Sequence, residues 1–182
     1  MFNIVWIFLW HYEMFPLTLV AMVGLLLTLI AIYQRIGSGL HPATRRDYWL
    51  LHFPFSLYLG WITVATIANA TSLLDYLNWG GWGIAPEIWA VIMLIVAAAV
   101  GAAIGVRRGD IAYVGVLVWA FIGIAVKHWA TPLVAYTALV MAGVVAASLL
   151  IGVPQRNQRL AAMSSTNAPA GAPPLSGTMD AT

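Results

Sequence analysis

The sequence predicts an all-α fold, a polytopic transmembrane helix bundle of five full spans preceded by an N-terminal partial helix. Three observations predict it. Hydrophobic residues make up 62% of the chain and charged residues 8%, too little polar material to clothe a soluble core. The few charges fall in short islands between apolar runs. Those runs approach the roughly 20 residues that a helix needs to cross a hydrocarbon layer about 30 Å thick.

Each run has visible limits. Phe15 to Tyr33 meets Gln34 and Arg35, Leu50 to Leu74 meets Asp75, and Ile88 to Val106 meets Arg107 and Arg108. Ile111 to Val126 stops at Lys127, and Leu133 to Val153 stops at Pro154. Pro16, Pro86 and Pro132 lie in or just before the first turn of the span each opens, where a missing N–H breaks no helical bond. Pro54 lies one turn inside its span and predicts a bend there. Met1 to Trp10 is apolar but covers only about half a bilayer at roughly 1.5 Å per residue. It carries neither the basic start nor the small-residue cleavage site of a signal peptide. It reads as the outer half of a helix, with the expectation that a longer reading frame or a partner chain supplies the rest. From Ala161 the sequence is rich in Ala, Pro, Ser, Thr and Gly without apolar periodicity, which predicts a disordered tail.

Charge sets the expected orientation. Arg35, Arg45, Arg46, Arg107, Arg108, Arg156 and Arg159 share one side if all five spans cross, against Lys127 alone on the other. This bias places the C-terminus in the cytoplasm. Trp10, Trp79, Trp82, Trp89 and Trp129 collect on the opposite side, as an interfacial aromatic belt does. The basic residues are scattered over loops, so nucleic acid is not an expected partner, whereas the lipid bilayer is. Without cysteine there is no disulfide and no thiolate ligand or nucleophile.

The span "PFSLYLGWITVATIANA", Pro54 to Ala70, is unusually polar for lipid. At about 100° per residue, Ser56, Gly60, Thr63, Ile67 and Ala70 share one flank of small side chains suited to close helix packing. Thr63, Thr66 and Asn69 form a stripe beside it. Threonine hydroxyls can bond back to their own helix, but the Asn69 carboxamide needs a partner or a guest. Trp61 and Trp119 sit near the middle of their spans, each a core residue or a wall for a planar apolar ligand. Ala97, Gly101 and Gly105 at four-residue spacing, and Gly143 with Ala147, predict tight helix pairs within the chain or across a dimer. His11 and His128 fall on one side and His41 and His52 on the other, so no pair shares mid-membrane depth and no metal site is predicted. No span carries Asp, Glu, Lys or Arg at mid-depth, and no catalytic constellation is visible, so an enzyme is not the expected reading.

Two of these stretches resemble a known family. "PFSLYLGWITVATIANA" resembles the last-helix signature of the TspO/translocator proteins, or tryptophan-rich sensory proteins, in which Pro, Trp and an Ala-Thr-x-x-Asn are fixed points. Pro54, Trp61, Ala65, Thr66 and Asn69 stand at those points. "NIVWIFLWHYEMFPLTLV" is similar to the family's Asn-x-x-Trp helix followed ten residues on by Pro, here Asn3, Trp6 and Pro16. The resemblance covers residues 1–78 and implies an N-terminally incomplete version of a five-helix fold, with residues 79–153 as an additional three-helix membrane segment and 154–182 as a disordered cytoplasmic tail. The chain departs from the pattern at Ile7 and Phe8, where the family has Ser-Pro, and at Leu73 and Leu74, where a Trp-Arg pair belongs to the proposed sterol-contact motif. The resemblance implies a protein of the bacterial inner membrane, often dimeric, with a sensory or regulatory output. It also implies a planar hydrophobic ligand such as a tetrapyrrole, with porphyrin as ligand and no required cofactor. On this chain the ligand wall would be Trp6, Trp10, Trp61, Thr66 and Asn69, and the mid-span Trp119 is added to the candidate ligand-binding residues as the partner of Trp61. The alternative function is a permease or helix-packing scaffold without a tetrapyrrole site.

Overall fold

The computed structural model describes residues 2–166. The disordered tail expected from the composition falls, for residues 167–182, outside the described residues. The described residues are helical with short connections: α1 (Phe2–His11), α2 (Phe15–Ile36), the single turn α3 (Arg45–Asp47), a π-helical turn (Tyr48–His52), α4 (Phe53–Tyr76), a 3₁₀ turn (Gly81–Gly83), α5 (Pro86–Arg108), α6 (Ile111–Lys127) and α7 (Pro132–Thr166). Four stretches are long and apolar enough to cross a membrane, namely α2, the run from Arg45 to Tyr76, α5 and α7. The apolar α6, of 17 residues, lies at the short end of what spans.

Helices α5, α6 and α7 pack on one another, α4 joins them through α6, α2 packs on α4, and α1 packs on α2. One buried cluster runs through the bundle from Met22, Leu25 and Leu29 to Leu59 and Ile62, then to Tyr113, Leu117, Phe121, Ala138 and Val145. The helices before and after residue 78 therefore share a core.

The closest approach lies between α5 and α7. A Cβ on Gly101 would run into Leu117 and Val145, and one on Gly105 into Ser148. At Gly152 the backbones themselves meet, because a Cβ there would strike the Gly105 carbonyl. The Ala97, Gly101 and Gly105 stripe is thus spent inside the chain. Gly143 and Ala147 instead face outward, and nothing lies within 4 Å of a Cβ built on Gly143.

Two local departures from the sequence reading have physical causes. Helix α7 does not stop at Pro154 but runs on to Thr166. Beyond the proline, Arg156 donates through Nη1 to the Gly109 carbonyl at 3.0 Å and Arg159 through Nη2 to the Arg107 carbonyl at 2.8 Å. These two arginines cap the carbonyl end of α5, which offsets the bond that the proline cannot make. The second departure is at the start of α4. The chain reaches Pro54 through the π turn, in which the Phe53 N–H bonds to the Tyr48 carbonyl five residues back. A proline in a regular α-helix would press its ring on the Leu50 carbonyl, and the wider turn relieves that contact.

Gly152→Ala is expected to destabilise the protein by about 1–3 kcal/mol, since the two backbones must part. Gly143→Ala, placed in open space in a helix, is expected to be neutral or stabilising by up to about 1 kcal/mol. Unfolding in mixed detergent micelles, followed by circular dichroism, reads both.

Candidate functional site

The polar face of α4 meets α6 at three levels. Ser56 donates to Asp110 Oδ2 at 2.6 Å. One turn on, a Cβ on Gly60 would come within 3.1 Å of the Tyr113 carbonyl oxygen and of Val116 Cβ. Next, Tyr113 Oη donates to Thr63 Oγ1 at 3.2 Å, while Thr63 bonds back to the Leu59 carbonyl at 2.8 Å. The small flank read from the sequence is therefore the seam with α6.

The residue that organises this end is Asp110, which sequence reasoning placed between spans and did not single out. It is 7% exposed. Helix α5 closes on Gly109, whose φ of 58° is left-handed and whose Cβ, if present, would approach the Gly152 carbonyl oxygen at 2.7 Å. Only glycine fits that position. The tight connection drives the next residue inward, where Asp110 caps α6 by accepting from the Tyr113 N–H at 3.1 Å through Oδ1. Its Oδ2 also accepts from Tyr33 Oη at 2.7 Å, which ties α2 to the same point. Arg108 lies 4.6 Å over the Tyr33 ring and donates to the Ser38 carbonyl at 3.3 Å. The legible signal for Asp110 was its place, a Gly-Asp pair between one helix and the next, which marks a stop followed by an N-cap. Its burial had no signal in sequence.

Around Asp110 is a polar cavity of about 340 Å³ at the arginine-rich end of the bundle. Ser38, His52, Ser56, Arg45 and Arg156 are in its wall. Ser38 Oγ and His52 Nδ1 are 3.1 Å apart, and the Nε of Arg156 is buried without an acceptor.

The sequence-predicted residues fall in two places. Trp61 and Trp119 come together, with ring centroids 5.6 Å apart and planes tilted by 38°. They lie on the outside of the α4–α6 seam, 46% and 63% exposed, and wall an open apolar groove of about 530 Å³ with Leu57, Ile111, Gly115 and Val116. Trp6 and Trp10 pair on α1 at 5.5 Å, and Trp10 packs edge-on against Phe15 at 5.2 Å. Asn69 is 4% exposed and faces α2, where its Oδ1 accepts from Thr18 Oγ1 at 3.3 Å. Its Nδ2, like Trp6 Nε1, is buried without an acceptor. Thr66 bonds back to the Ile62 carbonyl at 2.7 Å. Neither Thr66 nor Asn69 lines the Trp61–Trp119 groove, so the expected wall is not continuous. At the far end Trp79, Trp82 and Trp89 form a mutual cluster with centroids 5.1–5.8 Å apart, and Trp89 donates to the Gly81 carbonyl at 3.0 Å.

An all-helical bundle with lipid-length apolar helices and its hydrogen-bonding groups turned toward helix seams is a polytopic membrane protein. The sequence pattern of the TSPO-like protein family matches residues 1–151, and the chain belongs to that family as an integral membrane protein. The match takes in α1 through α6 and the first part of α7, including residues 79–151, which carry none of the motifs quoted for the family above. No curated protein and no solved structure matches the chain.

Tyr33→Phe removes a buried bond to the Asp110 carboxylate and is expected to cost roughly 1.5–3 kcal/mol. Asp110→Ala strands both the Tyr33 and Ser56 hydroxyls and is expected to cost more. Denaturation in detergent of the two variants side by side checks the order.

Proposed function

We propose that the protein binds a planar hydrophobic ligand such as a tetrapyrrole, taken from the lipid phase, and serves a sensory or regulatory role. The observation that carries this reading is the pair of exposed indoles, Trp61 and Trp119, meeting midway along two helices beside an apolar groove of about 530 Å³. An indole at that depth offers a flat face for stacking, and the bare Gly115, with nothing within 4 Å of a Cβ built on it, leaves room for the edge of a guest. Away from this groove, Trp6 and Asn69 each hold a buried donor with no acceptor, which a polar atom of a guest would satisfy. The resemblance suggests a bacterial inner membrane, and the arginine bias favours that end, and the C-terminus, in the cytoplasm.

A scaffold that assembles through small-residue faces is the second reading, and a specific observation limits it. Gly101 and Gly105 are occupied by α6 and α7 of the same chain, so only the outward Gly143–Ala147 face remains for a second copy.

Titrating detergent-purified full-length protein with protoporphyrin IX is expected to quench tryptophan fluorescence saturably. Trp61→Leu or Trp119→Leu is expected to weaken binding at least tenfold, and Asn69→Ala less. Quenching that does not saturate, or that neither Trp variant changes, overturns the reading.

A further inference from the structure

At the end of the bundle opposite the arginines, α4 and α5 scarcely pack on each other although a short connection joins them. Between them open two cavities, of about 340 Å³ and about 430 Å³, that share Thr71, Ala90 and Met93 in their walls. They form one cleft. Its inner chamber is mainly apolar, with Ile67, Ala97 and Phe121 in the wall, and its outer chamber reaches Asp75, Trp79 and Trp89. Along α5 the cleft runs from Pro86 to Ala97, roughly 16 Å at about 1.5 Å per residue, close to half of a hydrocarbon layer about 30 Å thick. That is the depth of one leaflet. We infer that this cleft binds one zwitterionic phospholipid, its acyl chain lying along α4 and α5 and its ammonium group held by Asp75 with Trp79 and Trp89.

The headgroup chemistry follows from what the outer chamber has left to offer. Trp89 spends its N–H on the Gly81 carbonyl at 3.0 Å, and the Thr71 hydroxyl turns back to the Ile67 carbonyl at 3.0 Å. Those donors are taken. The Asp75 carboxylate is exposed and accepts no hydrogen bond among the described contacts. A free carboxylate beside two indoles receives a cation, and a quaternary ammonium, which needs no hydrogen-bond partner, suits both the charge and the ring faces. The inner chamber carries the reverse sign at its mouth, where Lys127 and His128 stand at the end of α6. Opposite charges on adjoining chambers match a group that bears both an ammonium and a phosphate, in preference to a simple amine.

The outer wall is held in a fixed shape. Asn78, Gly81, Trp82 and Gly83 turn the connection through left-handed φ angles of 49°, 61°, 54° and 77°. Such a conformation is uncommon for a bulky residue like Trp82 and persists only where the surroundings impose it. Here they do, through the Trp89–Gly81 bond and the mutual packing of Trp79, Trp82 and Trp89. A wall ordered in advance spares the ligand that cost on binding.

Full-length protein in a neutral maltoside detergent is offered an equimolar mixture of dioleoylphosphatidylcholine and dioleoylphosphatidylglycerol, which share chains and phosphate and differ in the ammonium. Native mass spectrometry reads the first lipid retained. The natural chain is expected to retain the choline lipid at least fivefold over the glycerol lipid. Asp75→Asn, at an exposed position, is expected to bring that ratio close to one. Ala90→Phe, which fills the part common to both chambers, is expected to reduce retention of both lipids and is read with its melting curve. Should it unfold, Asp75→Asn alone decides. Equal retention of the two lipids by the natural chain, or a preference unchanged in Asp75→Asn, overturns the inference. Undiminished retention in a folded Ala90→Phe overturns the cleft as the place of binding. Octyltrimethylammonium, which has the cation without the phosphate, is added as a competitor, and displacement of the choline lipid at equal concentration assigns the cleft to a free amphiphilic amine and overturns the phospholipid.

Discussion

The carboxylate of Asp110 accepts from Tyr33 on α2, from Ser56 on α4 and from the first turn of α6, so three helices converge on two oxygen atoms. In a water-free layer an unpaired polar group costs several kcal/mol, which gives such a convergence directional force that apolar packing lacks. Greasy helices can slide past one another at little cost, because lipid tails are as good a neighbour as leucine. A buried acceptor fixed by three donors cannot slide. It sets the register of α2 against α4 and of α4 against α6, and the rest of the seam follows from that register. With Ser56 on Asp110, Gly60 falls beside Tyr113 and Val116, Thr63 falls under the Tyr113 hydroxyl, and Trp61 emerges next to Trp119.

Much of this was legible and some was not, for reasons that differ by residue. Helices of lipid length are announced by composition alone, and the small flank Ser56, Gly60 and Thr63 announced a packing face because helical periodicity is reliable along a single helix. Thr66 and Asn69 also behaved as their chemistry requires, the hydroxyl turning back on its own helix and the carboxamide reaching Thr18. What periodicity cannot supply is the neighbour. Trp61 and Trp119 were readable as a mid-depth pair, but that they meet on the outer side of the seam depends on the rotation that Asp110 imposes between α4 and α6. Pro154 read as a terminus because the bonds that accompany the helix past it, from Arg156 to the Gly109 carbonyl and from Arg159 to the Arg107 carbonyl, join residues 47 and 52 apart in sequence. Asp110 read as a loop residue because burial of a two-residue connection is decided by how near α7 comes, at Gly152.

The two halves of the bundle differ in what holds them. Between α5 and α7 the backbones touch at Gly105 and Gly152, and the arginines beyond Pro154 clamp the end of α5, so relative movement there must break both packing and hydrogen bonds. Along the α4–α6 seam, buried apolar side chains are joined by a few hydrogen bonds and one close glycine approach, flanked outside by exposed indoles and at the arginine-rich end by a cavity. Of the two junctions, the α5–α7 pair has the closer backbone contact, and the α4–α6 seam is fixed chiefly at Asp110. The connection between them is short, since Gly109 and Asp110 alone join the clamped end of α5 to the helix that carries Trp119. The one carboxylate on which α2 and α4 also depend thus stands between the α5–α7 pair and the helix that carries Trp119.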